Sequence, residues 1–278
     1  MAKKLLALYG LKFNPFVPDV PTEALVRTSA IEEFAWRIEA QIGDGGFALV
    51  SGEAGSGKSA TLRILADRMA KLRDVTVGAL TRPQASVPDF YREIGHIFGV
   101  TLSPHNRWAG ARALREKWLA HISNAGVRPV LIVDEAQEAR VPVLSEIRLL
   151  SSAELDAKSM LTVILAGDGR LTERLATPEL VPLGSRIRAR LRLGHASSPD
   201  LRACLEHLVA EAGAPKLMTA ELVATLADHA AGNYRVLTNM AGELLAAAAR
   251  REVPQLDQGL FLDLFRPEAP SPKKRRSA

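Results

Sequence analysis

The sequence predicts an α/β layered fold with a parallel sheet, followed by a small all-α module. From residue 47 onwards short apolar runs alternate with amphipathic stretches, as buried strands alternate with helices in such folds. After Gly194 the alternation stops, and apolar residues recur only at helical spacing. A chain of 278 residues, 47% of them hydrophobic, is long enough for one large domain with a small companion.

The first part of the chain, residues 1–46, is predicted to be a leader that packs on the α/β core. Residues 13–21 contain three prolines and are not expected to be helical. Ser29 is a candidate N-cap for a helix that runs over 31–42 and ends near Gly43.

The α/β core is predicted over residues 47–195. Four apolar runs are expected to be buried parallel strands, and a shorter fifth run follows at 191–193. The four runs lie at 47–50, 75–80, 130–133 and 161–166. The helices between them are predicted at 58–72, 87–98, 107–123, 141–150 and 170–176.

A helical lid is predicted over residues 196–253. Ser198 has the features of an N-cap with Pro199 in the first helical position, and two more helices are expected at 219–231 and 234–251. Residues 254–278 form a tail with a polar, proline-rich end that is not expected to fold.

The cysteine count, the lengths of the apolar runs and the net charge limit the classes of function that the sequence predicts. The single cysteine, Cys204, excludes an internal disulfide and is predicted to be a small buried hydrophobe. No apolar run approaches the roughly 20 residues of a membrane-spanning helix, so we expect a cytoplasmic protein without a membrane partner. The net charge is +5, but the last twelve residues carry +3 of it, so a nucleic-acid surface would need local clusters of basic residues.

The strongest motif follows the first predicted strand and matches the P-loop pattern GxxxxGK[ST]. Glycines allow the backbone to wrap a phosphate with its N–H groups, and the helix N-terminus adds partial positive charge. Lys58 is expected to reach the β- and γ-phosphates of ATP, and the Ser59 hydroxyl to bind Mg²⁺. The predicted nucleotide-binding residues are Gly52, Glu53, Ala54, Gly55, Ser56, Gly57, Lys58, Ser59, Ala60 and Asp134.

A second motif, Asp134-Glu135, lies at the carboxyl end of the third predicted strand, where ligands bind in open α/β sheets. Asp134 is the expected Mg²⁺ carboxylate, and Glu135 the expected base that polarises water for attack on the γ-phosphate. The acidic pair favours ATP hydrolysis over phosphoryl transfer by a small-molecule kinase, which is the least favoured alternative.

Three weaker candidates keep two interpretations each. Asp168 follows the fourth strand, where it would sense the γ-phosphate or start the next helix. Arg186 begins an alternating series with Arg188, Arg190 and Arg192, which indicates a solvated strand face or an arginine that reaches a neighbour's phosphate. Arg235, at the start of the third lid helix, would fold over the nucleotide or lie on the surface.

In this order over residues 1–250, the motifs resemble those of AAA+ ATPases. Residues 9–16 (YGLKFNPF) and 134–137 (DEAQ) also resemble ExeA/GspA-type ATPases and the DNA-transposition helper ATPases of the TniB, TnsC, IstB and MuB kind. The resemblance implies Walker A roles for Lys58 and Ser59 and Walker B roles for Asp134 and Glu135. It further implies that Asp168 is sensor 1, Arg186 the trans arginine finger and Arg235 sensor 2. A carboxylate accepts hydrogen bonds but does not donate them, so Asp168 departs from the usual sensor 1 residue types.

By resemblance, the chain is expected to assemble in an ATP-dependent way on duplex DNA, as a hexamer-like ring or a helical filament, and to recruit a transposase. The alternative is an ATPase switch that acts on a protein partner without DNA, as secretion-accessory ATPases do. Contacts with DNA phosphates would give salt-dependent affinity with little sequence preference. The candidate DNA-binding residues are Arg82, Arg92, Arg107, Arg112, Arg115, Lys117 and, in the tail, Lys273, Lys274, Arg275 and Arg276.

Overall fold

The computed structural model describes residues 2–80, 82–100, 107–153 and 158–265. The chain divides into two compact units. The core unit consists of Arg27–His195, and the helical unit combines Met1–Val26 with Ala196–Ala278. Among the described residues, no helix combines the length and apolarity needed to cross a membrane.

Five parallel strands form the sheet of the core unit, as the sequence predicts for this fold class. In chain order the strands are β1 (Gly46–Gly52), β2 (Val75–Leu80), β3 (Arg128–Val133), β4 (Ser152–Ala153), β5 (Lys158–Ser159), β6 (Thr162–Gly167) and β7 (Ile187–Leu193). The five-stranded sheet has the order β2-β3-β6-β1-β7, while β4 and β5 form a separate antiparallel pair. β1 therefore lies inside the sheet, where the loop that follows it reaches the carboxyl edge.

Helices flank the sheet and build the helical unit. Those of the core unit are α2 (Ser29–Ile42), α3 (Lys58–Ala70), α4 (Val87–Ile97), α5 (Arg107–Ala125), α6 (Val141–Ser151), α7 (Gly169–Leu175) and α8 (Val181–Gly184), with a 3₁₀ turn at Ala136–Glu138. Those of the helical unit are α1 (Ala2–Tyr9), α9 (Ser198–Glu211), α10 (Ala220–His229), α11 (Tyr234–Arg251) and α12 (Gln258–Leu264), with a 3₁₀ turn at Thr22–Ala24.

The burial of each strand follows its place in the sheet. Every residue of the central strand β6 is buried, as expected for a strand with neighbours on both sides and helices on both faces. The edge strand β7 instead alternates between buried Ile187, Ala189 and Leu191 and exposed arginines. This pattern is the solvated strand face that the alternating arginines predict.

The predicted leader is divided between the two units: residues 1–26 belong to the helical unit and residues 27–46 to the core unit. Leu11 and Phe16 are buried in the same cluster as the apolar residues of α9, α10 and α11. The Tyr9 hydroxyl donates to the Val253 carbonyl at 2.8 Å, and the Lys12 amide donates to Ala212 at 2.9 Å. The prolines prevent a continuous helix, and the apolar residues around them fill the helical unit.

Two helix starts differ by one residue from the prediction. Thr28, not Ser29, caps α2, because Thr28 has extended backbone and its hydroxyl accepts from the Ile31 amide. Ser197, not Ser198, caps α9 and forms a capping box with Asp200. In α9 Cys204 is buried as predicted, and burial raises the pKa of its thiol to about 11.

Candidate nucleotide-binding site

The P-loop joins β1 to α3 and brings its backbone into a tight turn. Gly57 has φ 96°, a left-handed conformation that glycine adopts without the strain of a side chain. A Cβ on Gly52 would lie 2.5 Å from Ser56 Oγ and 2.6 Å from the Leu193 carbonyl oxygen. Ser56 Oγ is buried without a hydrogen-bond partner in the part of the chain that the structure describes. The loop is thus a close-packed backbone cradle with an unused polar atom, which fits a phosphate ligand.

Lys58 opens α3 and folds back over the loop. Its side chain is buried, and its ammonium donates to the carbonyls of Gly52 at 2.8 Å and Glu53 at 3.1 Å. These contacts keep the positive charge beside the first turn of α3, where the helix dipole also favours an anion.

Ser59 connects the P-loop with the end of β3. Its hydroxyl donates to Asp134 Oδ2 at 3.4 Å. A hydroxyl and a carboxylate are hard oxygen ligands of the kind that Mg²⁺ binds together with waters and substrate phosphates. The residues present therefore fit a Mg²⁺ ion that accompanies a nucleotide.

Glu135 lies next to this pair in a constrained turn. Its backbone is left-handed, with φ 49° and ψ 40°, which is uncommon for a residue other than glycine. Asp134 Oδ1 accepts a hydrogen bond from the Glu135 amide at 2.9 Å, and the Gln137 side-chain amide donates to Glu135 Oε2. The Glu135 side chain is exposed, so a water molecule can reach its carboxylate.

Asp168 caps α7. Its carboxylate accepts from the backbone amide of Arg170 at 3.0 Å and from the Arg170 guanidinium at 2.9 Å. The Arg170 side chain is the main cause that lowers the pKa of Asp168; the Arg170 amide and the charge of Lys58 also lower it. Asp168 is therefore an ionised helix cap, which favours the second of its two interpretations over a sensor role.

Of the remaining two arginines, Arg186 lies at the amino end of the sheet and Arg235 lies in the helical unit. Arg186 directly precedes β7, and Ile187 pairs with Phe47 near the start of β1. The P-loop follows the other end of β1, about 20 Å farther along the strand at ~3.3 Å per residue. The Arg186 guanidinium donates to the Pro182 carbonyl. Arg235 belongs to the helical unit, where it is exposed in the first turn of α11.

The candidate DNA-binding residues differ in the contacts that they make within the chain. Arg115 donates to the carbonyls of Leu149 and Ser152, and Lys117 donates to Gly99 at 3.0 Å, so both have structural contacts. Two others form exposed ion pairs: Arg92 with Asp89, and Arg112 with Glu116. Arg82 is exposed after β2, and Arg107 begins α5. Outside the described residues lie Lys273, Lys274, Arg275 and Arg276.

Three residues that sequence reasoning did not select tie the ends of β3 and β6 together. Besides its contact with Glu135, Gln137 accepts from the Asp168 amide at 3.4 Å. Arg170 pairs with Glu138 at 2.9 Å, and Arg174 donates to the carbonyls of Gln137 and Ala139. Gln137 is the last residue of the DEAQ motif, whereas the only local signal for Arg170 and Arg174 is their position four and eight residues beyond the predicted end of the fourth strand.

A comparison with protein families supports the class of this site. Residues 41–175 match the family model described as AAA domain. This match, the strand order and the contact of Ser59 with Asp134 show that residues 41–175 form the AAA domain of an ATPase.

The chain is also similar to individual proteins. It is 32% identical over 212 residues to "General secretion pathway protein A" of Aeromonas hydrophila. The aligned residues cover 74% of this chain but only 38% of that protein. Among solved structures, Cdc6p from Pyrobaculum aerophilum has a TM-score of 0.70 at 16% identity, covering 87% of this chain and 67% of that one. Drosophila ORC bound to DNA has a TM-score of 0.66 at 22% identity, with coverages of 94% and 64%. At these sequence identities the structural similarity shows only that the chain shares the fold of these proteins.

Replacing Asp168 by alanine is expected to lower the free energy of unfolding by about 1 kcal/mol, because α7 loses its N-cap. The folded-state pKa of Asp168 is depressed, so its contribution is present above the ordinary value of 3.8 and is lost as pH falls through the lower folded value. Urea unfolding of wild type and Asp168→Ala at neutral and acidic pH measures this difference. Glu173→Gln, a change at an exposed position of the same helix, is the control. An equal difference in the free energy of unfolding at both pH values would contradict the assignment of Asp168 as an ionised N-cap.

Proposed function

We propose that this AAA+ ATPase is a nucleotide-dependent switch, in which ATP binding joins copies of the chain and hydrolysis releases them from each other and from a partner protein. The observation that supports the proposal is that the charged groups lie at two opposite edges of the sheet. Lys58, Ser59, Asp134 and Glu135 lie at the carboxyl edge of the sheet, whereas Arg186 lies at the amino edge.

At the carboxyl edge each residue has a chemical task. The P-loop backbone and Lys58 bind the phosphates of ATP and neutralise their charge. Ser59 and Asp134 hold Mg²⁺, which when bound stabilises the charge that develops on the phosphate oxygens. Glu135 orients a water and accepts its proton during attack on the γ-phosphate. The exposure of Glu135 and the Ser59–Asp134 contact support these roles.

At the amino edge Arg186 is proposed to act on the nucleotide of a neighbouring copy. Its distance from the P-loop of its own chain, about 20 Å along β1 at ~3.3 Å per residue, is longer than an arginine side chain. A heterologous contact between copies brings the amino edge of one chain to the carboxyl edge of the next and repeats into a ring or filament. Hydrolysis would then depend on assembly.

A protein partner is favoured by the similarity to General secretion pathway protein A, whose name assigns that relative to a secretion pathway. The backbone contacts of Arg115 and Lys117 also favour it, because they occupy two of the basic residues that DNA binding would use.

The second candidate is an ATPase that assembles on duplex DNA and recruits a transposase. Exposed Arg82, the basic sequence at 273–276 and a fold shared with ORC proteins solved bound to DNA support this candidate. Electron microscopy with random-sequence duplex DNA, in the presence of a non-hydrolysable ATP analogue or ADP, separates the two functions. Assemblies of protein on DNA with the analogue alone would support the DNA function. Assemblies that form equally without DNA, and no DNA binding at low salt, would support the protein-partner function.

Replacing Lys58 by alanine is expected to abolish ATP binding, because the phosphates lose their buried counter-charge. Glu135→Gln is expected to bind ATP normally but to lower turnover by about 10²- to 10⁴-fold, since only the base is removed. Binding of a fluorescent ATP analogue and phosphate release measure the two effects. Wild-type turnover by Glu135→Gln would contradict the role of Glu135 as base.

Replacing Arg186 by alanine is expected to lower turnover by about 10³-fold, the range of arginine fingers, and Arg186→Lys by less because the charge remains. Neither Arg186→Ala nor Lys58→Ala should hydrolyse ATP alone, but a one-to-one mixture should regain activity. In random assemblies roughly a quarter of the contacts join an intact site to an intact Arg186. Absence of any regain would count against action between copies.

A further inference from the structure

Gln137 contacts two parts of the candidate site at once. Its side-chain amide donates to Glu135 Oε2, and its side-chain oxygen accepts from the backbone amide of Asp168 at 3.4 Å. The first partner is the proposed base, and the second is the residue that follows the carboxyl end of β6. Gln137 is 7% exposed, so neither contact is made through a freely solvated side chain.

The chemistry of the two partners sets the orientation of the Gln137 amide. A backbone N–H only donates, and an ionised carboxylate only accepts. The oxygen of Gln137 must therefore face Asp168, and its nitrogen must face Glu135. No carboxylate at this position makes both contacts, because an ionised glutamate would oppose Glu135 with like charge. An apolar side chain would make neither.

The surrounding residues hold the Gln137 side chain in this place. A Cβ on Gly167 would lie 2.6 Å from Gln137 Oε1, so the glycine at the end of β6 leaves room for the side-chain oxygen. Arg174 of α7 donates to the backbone carbonyls of Gln137 and Ala139. Arg170 of the same helix pairs with Glu138 at 2.9 Å. The turn after β3 is thus attached to the segment after β6 at three points.

We propose that Gln137 is a positioning residue that ties the carboxylate of Glu135 to the end of β6. A displacement of the Asp168 backbone then moves the base, and an ordered β6 end holds it in the direction from which water attacks the γ-phosphate. This proposal rests on the proposed function, because it takes Glu135 as the base. It assigns to the Asp168 backbone, and not to the Asp168 carboxylate, the link between this strand end and catalysis.

The test compares Gln137→Met, which removes both contacts at similar length, with Gln137→Glu, which keeps the shape but cannot donate to Glu135 when ionised. Both variants are expected to lower kcat by about 10- to 100-fold, the cost of a misplaced catalytic group, with KM for ATP changed less than about twofold. Glu173→Gln, a change at an exposed position of α7 that takes no part in these contacts, is the control and should change kcat by less than about threefold. Circular dichroism and thermal unfolding establish that each variant is folded.

To distinguish positioning of Glu135 from a merely structural role, Gln137→Met is repeated in the Glu135→Gln background and single-turnover hydrolysis is measured. If Gln137 acts through Glu135, the second substitution should change the residual rate by less than about twofold. A further loss as large as in the wild-type background would overturn the proposal, as would unchanged kcat in both Gln137 variants. Wild-type turnover by Glu135→Gln would instead show that Glu135 is not the base. Failure of the proposed function and failure of the positioning role therefore give different results.

Discussion

The candidate site depends on the register of three parallel strands. Leu165 in β6 lies opposite Leu49 of β1 on one side and Val133 of β3 on the other, so Asp134 follows β3 about two residues short of the level of Gly52, where the P-loop begins. Because β6 separates the other two, the P-loop and Asp134 start about 10 Å apart at ~4.8 Å per strand. The first turn of α3 bridges this gap and brings Ser59 to Asp134. A one-residue slip of β3 would turn its buried residues to the opposite face and move Asp134 away from Ser59.

The turn after β3 carries backbone strain next to the proposed base. A left-handed backbone at a residue such as Glu135 costs about 1 to 3 kcal/mol, and it persists only where the surroundings determine it. Here Asp134 accepts from the Glu135 amide, and Arg174 binds two carbonyls of the following 3₁₀ turn. The same contacts that offset the strain also fix the backbone that carries the Glu135 side chain. Local strain and catalytic geometry therefore have one cause, the attachment of this turn to the end of β6.

Local patterns in the sequence predict the sheet, its helices and the P-loop, because each depends on the spacing of apolar residues or on a contiguous motif. They do not predict the position of Gln137, because its partners are Glu135 on the same turn and an amide 31 residues later. The division of the leader escaped prediction for a similar reason, since Leu11 and Phe16 are apolar enough for either core. At Thr28 and Ser197 two adjacent hydroxyl residues could each cap the helix, and only the backbone conformation selects one.

The nucleotide site does not distinguish a protein partner from DNA, because both functions use the same phosphate-binding and hydrolytic residues. The two functions differ instead in whether basic side chains on the surface are free to bind DNA phosphates or are already held by contacts within the chain. Ion pairs between exposed side chains, such as Arg112 with Glu116, contribute little because water screens them, so a DNA phosphate could replace the carboxylate. The contacts of Arg115 differ, because its departure would leave the Leu149 and Ser152 carbonyls without their donor. Among the candidate residues of the core unit, Arg92 and Arg112 are therefore easier to transfer to a DNA phosphate than Arg115.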